Sequence, residues 1–577
     1  MKIHIAKTAG FCMGVRRAVE IVLDTAHKQK GPVWTFGPLI HNPQVLNIFE
    51  EKGITTENSI PKNGSGSILI RAHGVPPHIK TSLIDSGFKV IDATCPRVIK
   101  VQTIIRKHAH KGYAVIIVGD KDHPEVVGLL GYAGKHGFVA DSLDQLNQLP
   151  EFEKAIIVAQ TTQNVDLFNK VQEWAQEKFP QYLVFNTICD STERRQAEVQ
   201  RIANLVDAII VVGGRNSGNT QRLSEIAAQV GKPVYHIETE SELDLDALSS
   251  AECIGITAGA STPNWIIKRV YRRLETLSAR GAISWHKAIY FLQRSLLLTN
   301  ILVGIGAGAL CFACAKLQDA DSVFPQMLIA SFYVLSMHIL NHLMGSQSDR
   351  YNDPERASFY RRYRALLSIL AVVAGGLGLF TAFRLGGIAF SLLLVMSVFG
   401  FSYNLTVIPK WLAPSLKYRR IKDIPGSKTI LIALAWGVVT AIFPTLGQKN
   451  GLDAAMLLSF AWATIFVFVR TAFFDVLDMQ GDRIVGKETL PILMGEKRTL
   501  RLLKLLLSIS TLILVGGSVA GILAPIGFIL AICPLLMLST LLASEKEQML
   551  PGIHLEFLIE FHFVLVGLIA LMWTLLS

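Results

Sequence analysis

The chain is 577 residues long, 50% hydrophobic, with a formal net charge of +11 at pH 7. That length is too great for one domain, and its 7 cysteines fit a reducing compartment rather than a disulfide-stapled secreted fold. The positive charge alone would admit nucleic acid, but much of it flanks apolar stretches and no nucleic-acid motif accompanies it, so no nucleic-acid partner is expected.

The first residues, 1–7, lack the apolar core of a signal peptide, which leaves the N-terminal half in the cytoplasm. From there short β-branched runs alternate with helical stretches, the pattern of parallel strands covered on both faces. Each run ends in a polar cluster rather than an ordinary turn. Ile3 and Ile5 lead to Gly10-Phe11-Cys12-Met13-Gly14, 67–70 to Arg71-Ala72-His73-Gly74, and 88–91 to Ala93-Thr94-Cys95-Pro96. The run 114–118 leads to Asp122-His123-Pro124-Glu125, 155–158 to Gln160-Thr161-Thr162-Gln163, and 182–185 to Thr187-Ile188-Cys189-Asp190. Residues 208–212 precede Gly213-Gly214-Arg215-Asn216-Ser217-Gly218-Asn219-Thr220, and 254–256 precede Thr257-Ala258-Gly259-Ala260-Ser261-Thr262. The carboxyl ends of strands are where open α/β sheets bind ligands.

Cys12, Cys95 and Cys189 each follow an expected strand and precede an expected helix. With no C-x₂-C pair or nearby fourth cysteine, they point to a metal centre with one open position, either zinc or an iron–sulfur cluster. Three unrelated buried cysteines are the plain alternative, because free cysteine is among the most buried residue types. The other clusters are rich in Ser, Thr, Asn and His beside helix starts, groups that hold a phosphate or diphosphate.

In this order, Phe11-Cys12-Met13-Gly14-Val15, His41-Asn42-Pro43, Arg71-Ala72-His73-Gly74, Ala93-Thr94-Cys95-Pro96, His123-Pro124-Glu125, Gln160-Thr161-Thr162 and Asn216-Ser217-Gly218-Asn219-Thr220 resemble the 4-hydroxy-3-methylbut-2-enyl diphosphate reductase family. The resemblance covers residues 1–280 and implies a three-lobed α/β reductase domain around a central [4Fe–4S] cluster. Cys12, Cys95 and Cys189 would be its ligands. His41, His73, Ser217, Asn219 and Ser261 would grip the diphosphate of an allylic substrate, His123 and Thr161 would line the pocket, and Glu125 would deliver protons. The implied reaction removes the C4 hydroxyl reductively, giving isopentenyl and dimethylallyl diphosphate, the last step of the methylerythritol phosphate route. A ferredoxin or flavodoxin is the implied electron donor. Gly218 departs from the family, which commonly has a second serine there, so only a backbone N–H is left for that contact.

Composition changes near residue 280. Residues 281–289 read as a linker, and 290–577 as an all-α transmembrane domain. Nine spans are expected, near 291–316, 324–344, 364–384, 386–405, 428–446, 453–475, 502–522, 524–543 and 556–576, each close to the ~20 residues that cross a bilayer core. Basic residues gather in alternate loops: Arg350, Arg356, Arg361, Arg362 and Arg364, then Lys410, Lys417, Arg419, Arg420 and Lys422, then Arg483, Lys487, Lys497, Arg498 and Arg501. By the positive-inside rule these loops and the N-terminus are cytoplasmic, giving a multi-pass, lipid-embedded protein of the inner (cytoplasmic) membrane.

Asp475, Asp478 and Asp482 stand at i, i+3 and i+7, expected on one helix face at the membrane boundary. Carboxylates there are costly and suit Mg²⁺ bridging to a diphosphate; a solvated helix end is the plain alternative. The stretch from Asp475 through Asp482-Arg483, with Gly486-Lys487-Glu488-Thr489-Leu490-Pro491, resembles the second Asp-rich motif of the UbiA-type membrane prenyltransferase superfamily, over 290–577. In the frame of the first motif stand Asn341 and Asp349, but His342 and Gly345 occupy positions where that family usually has aspartates. The resemblance therefore implies a depleted Mg²⁺–diphosphate clamp of Asn341, Asp349, Asp475, Asp478 and Asp482. Cys311-Phe312-Ala313-Cys314 in the first span reads as packing.

Three functions compete for the whole chain: a reductase fused to a prenyltransferase, a reductase whose membrane half is only an anchor or lipid-binding module, and a cluster-based redox sensor. A sensor would have no use for the diphosphate-binding residues.

Overall fold

Strands made only of apolar, largely β-branched residues must be covered on both faces, and Ala114–Val118, Ala155–Ala159 and Ala208–Val212 are buried at every position. In the computed structural model, residues 1–576 are described except 30, 62, 282–283, 321–322, 345–348, 350, 404–423, 425, 447–452 and 546–551. The chain divides into two units, Met1–Gly281 and Ala282–Ser577.

The first unit is built on three four-stranded sheets. One runs Lys2–Ile5, Cys253–Ala258, Ala208–Val212, Val234–Ile237. The second runs Ile54–Glu57, Val33–Phe36, Ser67–Ile70, Lys89–Asp92. The third runs Gly137–Ala140, Ala114–Val118, Ala155–Ala159, Leu183–Phe185. Every pairing is parallel. In the second and third sheets the chain starts at a middle strand, adds the edge beside it, then crosses to build the other side; the first sheet has the same layout, but its edge strand Lys2–Ile5 comes first in the chain. Each sheet therefore has a switch point between its two middle strands, where side chains from two strand ends face one crevice.

The second unit is helical. Among the described residues, 7 helices are long and apolar enough to cross a membrane. Large apolar side chains stand outward on them, including Ile369, Val372, Phe380 and Phe383 of Arg364–Leu385, a surface that suits lipid. Inward-facing Trp436, Trp462, Phe466 and Phe563 pack together in the core.

Three expectations change in detail. The first span is not one straight helix: Lys287–Leu298 and Ile301–Leu317 meet at 77°. Asn300, between them, takes a left-handed backbone (φ 57°), which asparagine tolerates, and its side chain donates to the Tyr360 hydroxyl at 2.6 Å. The fourth expected span corresponds to Gly387–Ser402, an apolar helix of 16 residues, short for a full crossing. Helix Ser284–Leu298 also begins inside the stretch expected to be a linker. Gly345 and the basic residues from Lys410 to Lys422 lie outside the described residues.

Candidate active site

Each sheet of the first unit contributes in the same way. The edge strands Lys2–Ile5, Lys89–Asp92 and Leu183–Phe185 lead to Cys12, Cys95 and Cys189. The switch points lead to His41 with His73, to His123 and Glu125 with Thr161, and to Ser217, Gly218 and Asn219 with Ser261. All twelve of these residues line one cavity of about 90 Å³.

The cysteines stand at helix N-termini, before Met13–Lys28, Pro96–Ala109 and Asp190–Ala203, where the positive end of a helix favours a thiolate. The Val15 N–H donates to Cys12 Sγ at 3.4 Å. A Cβ on Gly14 would lie 2.5 Å from Cys95 Sγ, so only glycine leaves room between the first two thiols. Burial pushes the Cys95 and Cys189 thiols up. Among the described residues, a single group of three metal-ligating side chains has its ligand atoms gathered around one point, and it is not these cysteines. Three thiols on three separate strand ends are soft ligands, suited to zinc or an iron–sulfur cluster.

That gathered group is His41, His73 and His123, whose ligand atoms lie within 4.8 Å of one another. The ring centroids are 4.8 to 5.9 Å apart. Burial keeps all three rings neutral: it lowers His41, with help from Arg71, takes His73 well below its usual value, and brings His123 down to about 4. His123 caps helix Pro124–Ala133, its Nδ1 accepting from the Glu125 N–H at 3.1 Å. A neutral ring that accepts at Nδ1 carries its proton on Nε2. His123 Nε2 therefore donates, which suits an anion and not a cation. It points towards Gly218, where an added Cβ would stand 3.6 Å away. His41 Nε2, His73 Nδ1 and Asn219 Nδ2 are buried with no partner. Native proteins leave few such groups unsatisfied, and here three cluster in one cavity. The Ser261 hydroxyl donates to the His41 carbonyl at 3.0 Å and lies 3.4 Å from the Ser217 hydroxyl, which precedes helix Gly218–Gln229.

Glu125 is 1% exposed and accepts from the Thr161 N–H at 2.7 Å and the Thr161 hydroxyl at 2.8 Å. Burial pushes its carboxyl up to about 7, so near neutrality it holds a transferable proton.

Sequence reasoning missed the Asp120–Arg222 pair at 2.7 Å, which flanks His123, and the buried Arg195. Arg195 shares a helix face with Val199 and Ile202, and a cation on an apolar stripe is a legible signal.

The acidic residues of the second unit are arranged differently from the expectation. Helix Ala454–Leu477 ends at Asp478, and Asp482 belongs to the next helix, Met479–Val485, so the three do not share one continuous helix face. Asp475 accepts from the Thr429 hydroxyl at 2.6 Å, and Asp482 from Asn352 Nδ2 at 2.9 Å. Gly481 makes that approach possible, since a Cβ there would stand 1.8 Å from Asn352 Oδ1. Asp349 pairs with His342 at 2.8 Å. Lys428 faces Asp475, Asp482 and Asp349 and, with Asn341, lines an otherwise largely apolar cavity of about 320 Å³.

The first unit is thus an α/β protein whose strand ends bring three cysteines, three histidines and a group of Ser, Asn, Thr and Glu side chains to one cavity. Residues 3–275 match the LytB protein family, and 301–550 match the UbiA prenyltransferase family. The chain is 42% identical over 275 residues to 4-hydroxy-3-methylbut-2-enyl diphosphate reductase of Geobacter sulfurreducens, covering 48% of this chain and 97% of that protein. It is 41% identical over 286 residues to the enzyme of the same name from Aquifex aeolicus, covering 49% and 99%. Among solved structures, one of (E)-4-hydroxy-3-methyl-but-2-enyl diphosphate reductase is 41% identical, covers 48% of this chain and 99% of that one, and has a TM-score of 0.38. A UbiA homolog from Aeropyrum pernix K1 is 14% identical, covers 47% and 98%, and has a TM-score of 0.37. Through its first half the chain belongs to the 4-hydroxy-3-methylbut-2-enyl diphosphate reductase family, with a UbiA-like membrane domain fused to it.

Proposed function

We propose that the first half, residues 1–280, reduces 4-hydroxy-3-methylbut-2-enyl diphosphate to isopentenyl and dimethylallyl diphosphate. The C4–O bond breaks, the hydroxyl leaves as water, and two electrons and two protons are consumed. A [4Fe–4S] cluster on Cys12, Cys95 and Cys189 would supply the electrons and a Lewis-acidic iron for the hydroxyl. His41, His73, His123 and Asn219 donate neutral hydrogen bonds to the diphosphate, and Ser217 and Ser261 add hydroxyls beside a helix N-terminus. Glu125 holds the proton for the leaving oxygen, with Thr161 fixing its orientation. The cavity shared by unpartnered buried polar groups, a carboxyl pushed up to about 7 and three thiols is the observation that carries this reading. A ferredoxin or flavodoxin delivers the electrons on the cytoplasmic side.

The second half, 290–577, is read as a nine-span domain of the cytoplasmic membrane that binds a prenyl diphosphate with Mg²⁺. Asp475, Asp478 and Asp482, opposed by Asn341 and Asp349, would hold the Mg²⁺ and diphosphate, with Asn341 and Lys428 beside the apolar cavity that would take the prenyl chain. Transfer there is weak or specialised, because a half-depleted clamp stabilises a departing diphosphate poorly. Anaerobic assay of the full chain with the hydroxylated diphosphate and a low-potential reductant tests the first half. Both five-carbon products should form; a cluster-loaded protein that leaves the hydroxyl in place contradicts the reading.

A further inference from the structure

The buried face of helix Asp190–Ala203 carries Arg195, 3% exposed. Its guanidinium is satisfied by backbone: Nη1 donates to the Ala258 carbonyl at 2.9 Å and Nη2 to the Gly10 carbonyl at 2.5 Å, while Nε lies 3.4 Å from the Ser191 hydroxyl. Among the described residues no carboxylate makes an ion pair with it. Its bonds to the Gly10 carbonyl and the Ser191 hydroxyl place it two residues from Cys12 and from Cys189, and its electrostatic partners are those two cysteines and Glu198. Glu198 is engaged elsewhere, accepting from the Lys7 and Thr8 N–H groups and the Thr8 hydroxyl. A lone buried cation is costly unless nearby negative charge compensates it. Thiolates at Cys12 and Cys189 would provide that charge.

The two carbonyls it holds matter as well. Gly10, at φ 104°, opens the loop that delivers Cys12, and Ala258 ends the strand that delivers Ser261. The Cys12 N–H donates to the Ala260 carbonyl at 3.1 Å. One side chain on the Cys189 helix thus ties together the Cys12 and Ser261 loops.

We propose that Arg195 is a positioning residue that raises the reduction potential of the thiolate-held centre while pinning the Cys12 loop. The proposal rests on the reading that Cys12, Cys95 and Cys189 hold a [4Fe–4S] cluster. Each added electron makes a thiolate-ligated cluster more negative, so a buried cation beside two of its sulfurs favours the reduced state. It touches neither substrate nor the reacting atoms, and it acts through the ligands it faces.

The test is an EPR-monitored redox titration of the full chain, purified anaerobically in detergent. Arg195→Gln keeps one donor and removes the charge; its midpoint potential should move to more negative values. Arg195→Lys keeps the charge and should titrate near wild type. An unchanged potential in Arg195→Gln overturns the proposal. Should that variant fail to hold a cluster, Arg195→Lys decides: a retained cluster with wild-type potential supports the charge, whereas a lost cluster or a lowered potential overturns it. A wild-type chain with no cluster signal overturns the reductase reading itself, and this inference with it.

Discussion

In the first unit several buried polar atoms of the cavity lack internal partners; in the second the carboxylates of the acidic cluster already have them. His41 Nε2, His73 Nδ1 and Asn219 Nδ2 are buried and unsatisfied, each costing about 1–3 kcal/mol until something fills the cavity. Asp475, Asp482 and Asp349 instead accept from Thr429, Asn352 and His342. Unpaired buried groups, the Asn219 amide among them, leave the first cavity polar valences to give a ligand. The carboxylates of the second unit are already oriented by hydrogen bonds and keep lone pairs that a metal could use.

That contrast can be broken most sharply at the thiols. Cys95→Ser in the full chain should strip or cripple the iron centre and abolish reduction, read as lost visible absorbance and lost product. Glu125→Gln comes next. It removes the transferable proton but little volume, so turnover should fall ~10²–10⁴-fold while iron content and substrate affinity survive. The acid form of Glu125 is present below about 7, so wild-type kcat/KM should decline as pH rises through that value. This limb should vanish in the variant, and its persistence would assign the proton to another group. His41→Ala should leave the centre intact and weaken diphosphate binding by roughly 10–100-fold, the worth of one hydrogen bond to a charged group, as measured by calorimetry with the product. Equal loss of binding in the Glu125 and His41 variants would dissolve the division between binding and proton transfer. The smallest effect is expected in the second unit. In membranes Asp478→Asn should remove a weak Mg²⁺-dependent prenyl transfer and leave reduction unchanged; lost reductase activity would mean that the halves are coupled.

Much of the first site was legible because a buried parallel strand is a continuous apolar run, and its end is marked where polar residues begin. Ala114–Val118 running into His123 and Glu125 shows this. The distribution of cysteines to edge strands and cradle residues to switch points was hidden, because strand order is a tertiary property that periodicity does not carry. Arg195 stands out on its apolar stripe, but its partners were hidden for a related reason, being carbonyls 63 and 185 residues away. In the second unit the long apolar helices were legible from hydropathy, 7 of them among the described residues against nine expected spans, but the bend at Asn300 and the helix break at Asp478 were not. The pairing of His342 with Asp349, 7 residues apart, likewise shows only in three dimensions.

The central claim is that Cys12, Cys95 and Cys189 hold a cluster with one iron open to substrate. Metal analysis combined with EPR and Mössbauer spectra of the full chain, purified without oxygen, tests it most directly. Four irons per chain are predicted, with one distinct iron site whose spectrum changes when the hydroxylated diphosphate is added. Stoichiometric zinc without iron, or four equivalent irons indifferent to the substrate, would contradict it.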